Sequence, residues 1–290
     1  MLRITNETLI SSVLVWIALS SSIIAISTYS IKGTVIASED KTDQAATNKK
    51  AKDKDADAAP SSQNAQDIDP RANEILRSMS EYLKNAKAFS FNADISFDEV
   101  LASGPKVQFS ATNKVSVRRP DRIHAVYDGD LDKRKFWYDG KGVTLLDTEE
   151  NLYSTFAAPP EIDAAIDFAI EQYGLSVPLA DLLYSDPYKI LTENVVEGFY
   201  VGKSRVRAHD CYHLLFIQNT IDWQLWIEIG YRPVPRKAVI TYKQQPGAPQ
   251  YTALLSDWDF TSPLPDSLFK FQPPEGSEQI DIIRVKEKPK

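Results

Sequence analysis

The segment from Cys211 to Tyr242, CYHLLFIQNTIDWQLWIEIGYRPVPRKAVITY, restricts the fold more than any other part of the chain. Ile221, Trp223, Leu225, Ile227 and Ile229 share one parity. Asp222, Gln224 and Glu228 share the other, where Trp226 is the apolar exception. A period of two belongs to a β-strand with one dry and one wet face. A helix would bring Trp223 and Ile227 together and leave Leu225 on the far side. Upstream, Tyr212, Leu214 and Phe216 alternate with Cys211, His213, Leu215 and Ile217, so both faces are largely apolar. Gln218-Asn219-Thr220 is a short polar break that suits a tight antiparallel connection. Downstream, Ala238, Ile240 and Tyr242 alternate with Lys237, Thr241 and Lys243. The region reads as an antiparallel meander without a catalytic signature of its own.

The rest of the chain divides by composition. Residues 1–37 carry Arg3, an apolar run from Leu9 to Ile26 and then Val35-Ile36-Ala37, the pattern of an export signal. The run is longer than a usual signal core and shorter than a comfortable bilayer span of about 20 residues, so a cleaved signal and a retained single anchor both stand. Residues 38–68 are rich in Lys, Asp, Ala, Gln, Asn and Ser and contain no aromatic residue, which makes them a disordered linker. Residues 69–283 form one β-rich domain, and 284–290 are expected to fray. The net charge of −7 argues against nucleic acid and anionic membrane surfaces as partners. The one cysteine, Cys211, excludes an internal disulfide.

Within the domain, Asp69-Pro70 caps and starts a helix whose apolar face carries Ile75, Leu76, Met79, Tyr82, Leu83 and Ala86. Strands follow. Phe89, Phe91, Ala93, Ile95 and Phe97 alternate with polar residues. So do Val107, Phe109, Ala111, Val115 and Val117, with Asn113 the one break. Arg122–Tyr127 extends again. Phe136-Trp137-Tyr138, the Asp139-Gly140 turn and Val143–Leu146 form a hairpin. Leu152–Phe156 is the next strand. Pro159-Pro160 then opens a helix with Ile162, Ala165, Ile166, Ala169, Ile170 and Tyr173 on one face, ended by Gly174. Pro178–Tyr184 reads as a short second helix. Strands resume at Val195 and run through Tyr251–Trp258. The fold class is mainly β with helices, and the helical insert between two sets of strands is placed to cover the open side of a curved sheet.

Candidate chemistry is sparse. His209, Cys211 and His213 share one strand face, an arrangement that resembles a metal site. Alternate strand residues lie about 6.8 Å apart, against metal–ligand bonds of about 2.0–2.3 Å, and His124 is the only other histidine. A packed strand face is the better reading, so neither a metal nor a cofactor is assigned. Nothing marks Cys211 as an activated nucleophile. No phosphate loop, dinucleotide fingerprint or nucleophile elbow is present, and no catalytic residue is expected.

Arg119-Pro120-Asp121-Arg122, the Tyr138-Asp139-Gly140 turn and the closing Phe269-x-Phe271-x-Pro273-Pro274-x-Gly276 are similar in order to bacterial outer-membrane lipoprotein carriers of the LolA/LolB type. Trp223-Gln224-Leu225-Trp226-Ile227-Glu228 with Pro235-Arg236 resembles more closely a family of predicted periplasmic proteins catalogued as a domain of unknown function. The resemblance covers roughly Asp69 to Ile283. It implies a half-open antiparallel β-barrel with a helical lid and an apolar groove that holds acyl chains, with an arginine near the mouth, here Arg119, helping to hold the closed state. Phe91, Phe109, Trp137, Trp223, Leu225 and Ile227 would line that groove, and Ile162, Ile166, Ile170, Leu182 and Leu183 the lid. The default reading of these aromatic residues is that they fill a solid core, and a groove left partly open for a hydrophobic ligand is the sharper one. The expectation is an exported, non-catalytic periplasmic carrier whose partner is a lipid or an acylated protein. The alternative is a membrane-anchored envelope sensor or assembly factor that binds another protein, touching the membrane through an uncleaved N-terminal segment.

Overall fold

The computed structural model describes residues 66–175 and 177–285. The expected export signal or anchor lies outside the described residues, as does the linker up to residue 65. Among the described residues no helix is long and apolar enough to cross a membrane.

The N-terminal helix α1, Pro70–Asn85, starts where the sequence places it. The Asp69 carboxylate accepts from the amides of Arg71 and Ala72 at 2.7 and 3.2 Å, satisfying two of the donors a helix start leaves open. Its buried stripe is Ala72, Leu76, Met79, Ser80 and Leu83. Two residues before it, β1 (Asp67–Ile68) pairs in parallel with a later strand, so the last part of the expected linker belongs to the sheet.

Six antiparallel strands follow in a meander: β2 (Ala88–Val100), β3 (Lys106–Arg118), β4 (Arg122–Gly129), β5 (Lys133–Tyr138), β6 (Gly142–Asp147) and β7 (Leu152–Ala157). The helical insert comes next. It consists of α2 (Ile162–Tyr173), a 3-10 turn at Ala180–Leu183 and α3 (Pro187–Thr192). Gly174 ends α2 in the left-handed conformation at φ 65°, as its position in the sequence predicts. The second meander is β8 (Glu197–Val206), β9 (His209–Ile217), β10 (Ile221–Glu228), β11 (Pro235–Tyr242) and β12 (Gln250–Asp259). A last two-residue strand, β13 (Glu278–Gln279), pairs in parallel with β7.

These strands form one sheet in the order β1-β8-β9-β10-β11-β12-β2-β3-β4-β5-β6-β7-β13. The two meanders join through the β12–β2 pairing. β7 and β8 therefore sit near opposite rims, and the insert that connects them spans from one rim to the other. The sheet does not close on itself, and with the helices on its inner face it is a half-open β-barrel with a helical lid.

Parity explains which side chains face inward. One apolar cluster unites Leu76, Met79 and Leu83 of α1 with Phe89, Phe91, Val117, Tyr138, Leu214, Phe216, Trp223 and Ile227 of the sheet, and with Ile162, Ile166, Leu182 and Leu183 of the insert. A smaller cluster on the outer face holds Val206, Cys211, Trp226 and Val239. Trp226, the apolar exception on the wet face of β10, has its place there.

Of the tail expected to fray, Arg284 and Val285 are described and 286–290 lie outside the described residues. After β13, the Ile280 amide donates to Tyr153 O at 2.8 Å, Ile282 packs on the core, and the Val285 amide donates to Gln172 O of α2 at 2.8 Å. Arg284 and Val285 are held because this strap runs from the β7 rim to the lid.

Candidate functional site

The candidate site is the inner face of the sheet and the insert that covers it. The inner face is built in cross-strand rows. One row runs Phe216, Trp223, Ile240, Tyr251, Phe97 and Phe109 across β9, β10, β11, β12, β2 and β3. The next runs Leu214, Leu225, Ala238, Ala253, Ile95, Ala111 and Gly129. The centre of that row is small, so it forms a trough beside the aromatic ridge. Tyr127 leans into the trough, and a Cβ on Gly129 would lie 2.9 Å from its ring.

Beneath the lid this space is filled. Ile162 is 1% exposed, Leu182 1% and Leu183 6%, all in the same cluster as Phe89 and Phe91. Burial of an aliphatic side chain of this size contributes about 1.5–3 kcal/mol. Two concavities among the described residues lie elsewhere. One, of about 410 Å³, lies between α1 and α3 and is lined by charged side chains, among them Arg77, Lys84 and Asp186. The other sits at the β8–β9 hairpin. The groove expected to stand open is occupied by the lid's own side chains.

Polar contacts tie the insert to the sheet. Arg119 follows the end of β3, and its guanidinium donates from Nη1 to Leu183 O at 2.7 Å and from Nη2 to Tyr184 O at 2.9 Å. Burial pulls its pKa below the usual arginine value, and Asp163 opposes that shift. The Ile162 amide at the start of α2 donates to Pro120 O at 3.0 Å. The lid is also braced internally. Asp163 accepts from the Ser185 amide and hydroxyl at 2.8 and 2.6 Å, and Asp167 accepts from the Tyr184 hydroxyl at 2.9 Å. Burial is the main reason the Tyr184 phenol is pushed well above its ordinary range.

Not every sequence-predicted groove residue faces inward. Phe91, Trp223, Leu225 and Ile227 do and are buried. Phe109 is half-buried at the end of the aromatic row, its ring 5.9 Å from that of Phe97. Ile162, Ile166, Leu182 and Leu183 are buried in the lid, and Ile170 is half-buried against the same cluster. Trp137 is a correction. It faces the outer side, with its ring 5.2 Å from His124 and 5.0 Å from Phe271. Its neighbours Phe136 and Tyr138 point inward instead. Three consecutive aromatic residues conceal parity, so the sequence does not say which one turns out.

Sequence reasoning missed the polar atoms of the inner face. The Trp223 Nε1 and the Asn113 Oδ1 are buried and make no hydrogen bond among the described residues. A buried donor left without an acceptor costs about 1–3 kcal/mol. Asn113 is visible in the sequence as the break in the β3 alternation. The Trp223 donor is not, because tryptophan counts as apolar in any pattern. Further along this face, Tyr127 opposes Arg134, which opposes Asp147, and the Arg134 Nη2 lies 3.2 Å from Asp132. Burial is the largest of the effects that push the Tyr127 phenol up to about 12.

The histidine–cysteine face is outward. The Arg236 Nε and Nη2 both donate to Glu228 Oε2, at 2.8 and 2.6 Å, and the His209 Nδ1 is 3.3 Å from Glu228 Oε1. His213 stacks on Trp226 with ring centres 4.0 Å apart, and its Nε2 is 2.8 Å from Gln224 Oε1. The Cys211 thiol is fully buried, and burial is the main cause that pushes it up to about 11, the opposite of nucleophile activation. Among the described residues no group of His, Cys, Asp and Glu is arranged to hold a metal ion.

A family model described as "Predicted periplasmic protein (DUF2092)" matches residues 72–283. No curated protein matches the chain. Solved structures similar to it include an uncharacterized conserved protein from Thermus thermophilus, at 11% identity and a TM-score of 0.42, with 73% of this chain and 99% of that one covered. The Mycobacterium tuberculosis lipoprotein LppX is similar at 11% identity and a TM-score of 0.39, covering 68% and 98%. A LolA superfamily protein from Nitrosomonas europaea is similar at 12% identity and a TM-score of 0.35, covering 69% and 97%.

Proposed function

Because the chain belongs to the family of predicted periplasmic proteins DUF2092, we propose that it is a non-catalytic periplasmic carrier that holds a hydrophobic acyl ligand on the inner face of its half-barrel. The observation that carries this reading is the Arg119 latch. A charged guanidinium grips two carbonyls of a segment whose remaining role is to plug an apolar concavity. A solid core needs no such clasp. A lid does, because its closed form must hold without a ligand and still release.

In the closed form the lid residues stand in for the ligand. Ile162, Ile166, Leu182 and Leu183 occupy the space an acyl chain would take, so binding exchanges one set of apolar contacts for another. That makes loading nearly balanced in energy and places control with the polar latch. Phe91, Leu225 and Ile227 form the wall beneath, and the open end of the aromatic row at Phe97 and Phe109 is the route by which a chain leaves the trough.

Native mass spectrometry of protein purified from a periplasmic extract tests this reading. The expected result is a population with added lipid mass that is lost on organic extraction. Protein free of lipid that also fails to take up 1-N-phenylnaphthylamine refutes it.

A further inference from the structure

We propose that Trp223 and Tyr251 are specificity residues for the neutral carbonyl of an esterified acyl chain, held over Ile240 between them. The inference rests on the carrier reading above and deepens it. Trp223 and Tyr251 flank Ile240 in a single cross-strand row. Adjacent strands lie about 4.7–4.9 Å apart, so these two side chains, one on each side of β11, stand about 9.5 Å apart with the Ile240 side chain between them.

Trp223 is 3% exposed and stacks on Phe216 at 4.2 Å between ring centres. That stacking fixes the indole plane, yet Nε1 has no acceptor among the described residues. Trp258, on β12, shows the ordinary alternative: its Nε1 donates to Pro235 O at 3.0 Å. A buried indole usually finds such a partner. A phenylalanine at 223 would stack as well and leave no donor unmade. The orphan donor is explained if its acceptor arrives with the ligand.

The charge around the row selects the kind of acceptor. The nearby cations of β11 and the loop after it are engaged on the other face, where the Lys237 Nζ lies 4.6 Å from the Trp226 ring centre and the Lys243 Nζ 2.7 Å from Asp222 Oδ1. Burial also keeps the Tyr251 and Tyr242 phenols protonated, as neutral hydrogen-bonding groups. A carboxylate brought to this row would lose its hydration without gaining a counter-charge. A neutral ester carbonyl loses little and gains the indole donor.

The test is displacement of 1-N-phenylnaphthylamine by methyl oleate, oleate and 1-octadecene, using the wild type, Trp223→Phe and Tyr251→Phe. The expected wild-type order is methyl oleate ahead of both the carboxylate and the alkene. Trp223→Phe is expected to weaken methyl oleate about tenfold and leave 1-octadecene unchanged. Tyr251→Phe, which deletes one oxygen, is expected to weaken the ester about threefold and serves as the reading variant if Trp223→Phe does not fold. Equal losses for ester and alkene, or none for either, overturn the inference while leaving the carrier reading in place. A wild type that binds none of the three removes both.

Discussion

Replacing Arg119 by leucine isolates the latch from the packing it guards. The two guanidinium bonds, at 2.7 and 2.9 Å, are charge-assisted, and their removal strands the carbonyls of Leu183 and Tyr184. Set against the burial cost of the guanidinium itself, the net loss to lid closure is about 2–4 kcal/mol. That raises the open population roughly 30- to 700-fold. It does not hold the lid open, because Ile162, Ile166, Leu182 and Leu183 together contribute about 6–12 kcal/mol by burial. The variant is therefore expected to stay folded and mostly closed, with far more frequent excursions. Amide hydrogen exchange read by mass spectrometry sees such excursions directly. Amides that report the lid, such as Leu182 bonded to Leu179 O and Ala165 bonded to Glu161 O, are expected to exchange faster by a factor in that range. Those in β9–β11 are expected to keep their wild-type rates. Lysine at 119 should recover only part of the effect, since it lacks the planar fork. Unchanged lid exchange, or acceleration spread evenly over sheet and lid, would refute the latch.

Other expectations follow from single environments. Cys211, fully buried with its thiol pushed up to about 11, should resist Ellman's reagent at pH 8 until the protein is unfolded, then react once per chain. Burial, with help from Lys135 and Lys114, lowers the pKa of His124 below 6.5, so the unfolded chain takes up a proton that the folded one refuses. Stability should fall as pH drops from about 6.5 through that lowered value and gain nothing above it, and His124→Phe should flatten that slope in urea titrations. Gly198→Ala places a Cβ 2.9 Å from Ile68 and from the Phe216 ring, and should cost about 1–3 kcal/mol by chemical denaturation. Truncation after Gly276 removes β13 and the Val285–Gln172 bond, and should make α2 the first site of limited proteolysis.

Much of this architecture is legible in the chain because a half-buried strand writes its two faces in alternate letters. β2, β3 and β10 announce themselves that way, and Asp69-Pro70 and Gly174 mark helix ends by backbone chemistry. Where both faces are apolar the signal disappears, as at Phe136-Trp137-Tyr138, and the wrong aromatic residue enters the groove. α3 is too short to show a period: Asp186-Pro187 reads as a turn, although Asp186 caps it through the Lys189 amide at 3.1 Å. The rim strands β1 and β13 are two residues each and carry no pattern at all. Arg119 is visible only through an Arg-Pro resemblance, because its partners are main-chain carbonyls 64 and 65 positions away. Those positions show any residue letter equally well.

The strand order carries one more consequence. The first half of the domain sends β1 to the outer rim of the second meander, and the second half sends β13 to the outer rim of the first. Each half wears a piece of the other as its hem. A chain nicked within the insert would thus yield two fragments that stay buttoned together at both margins as well as along the β12–β2 seam, and a split version of this protein should reassemble from separately expressed halves.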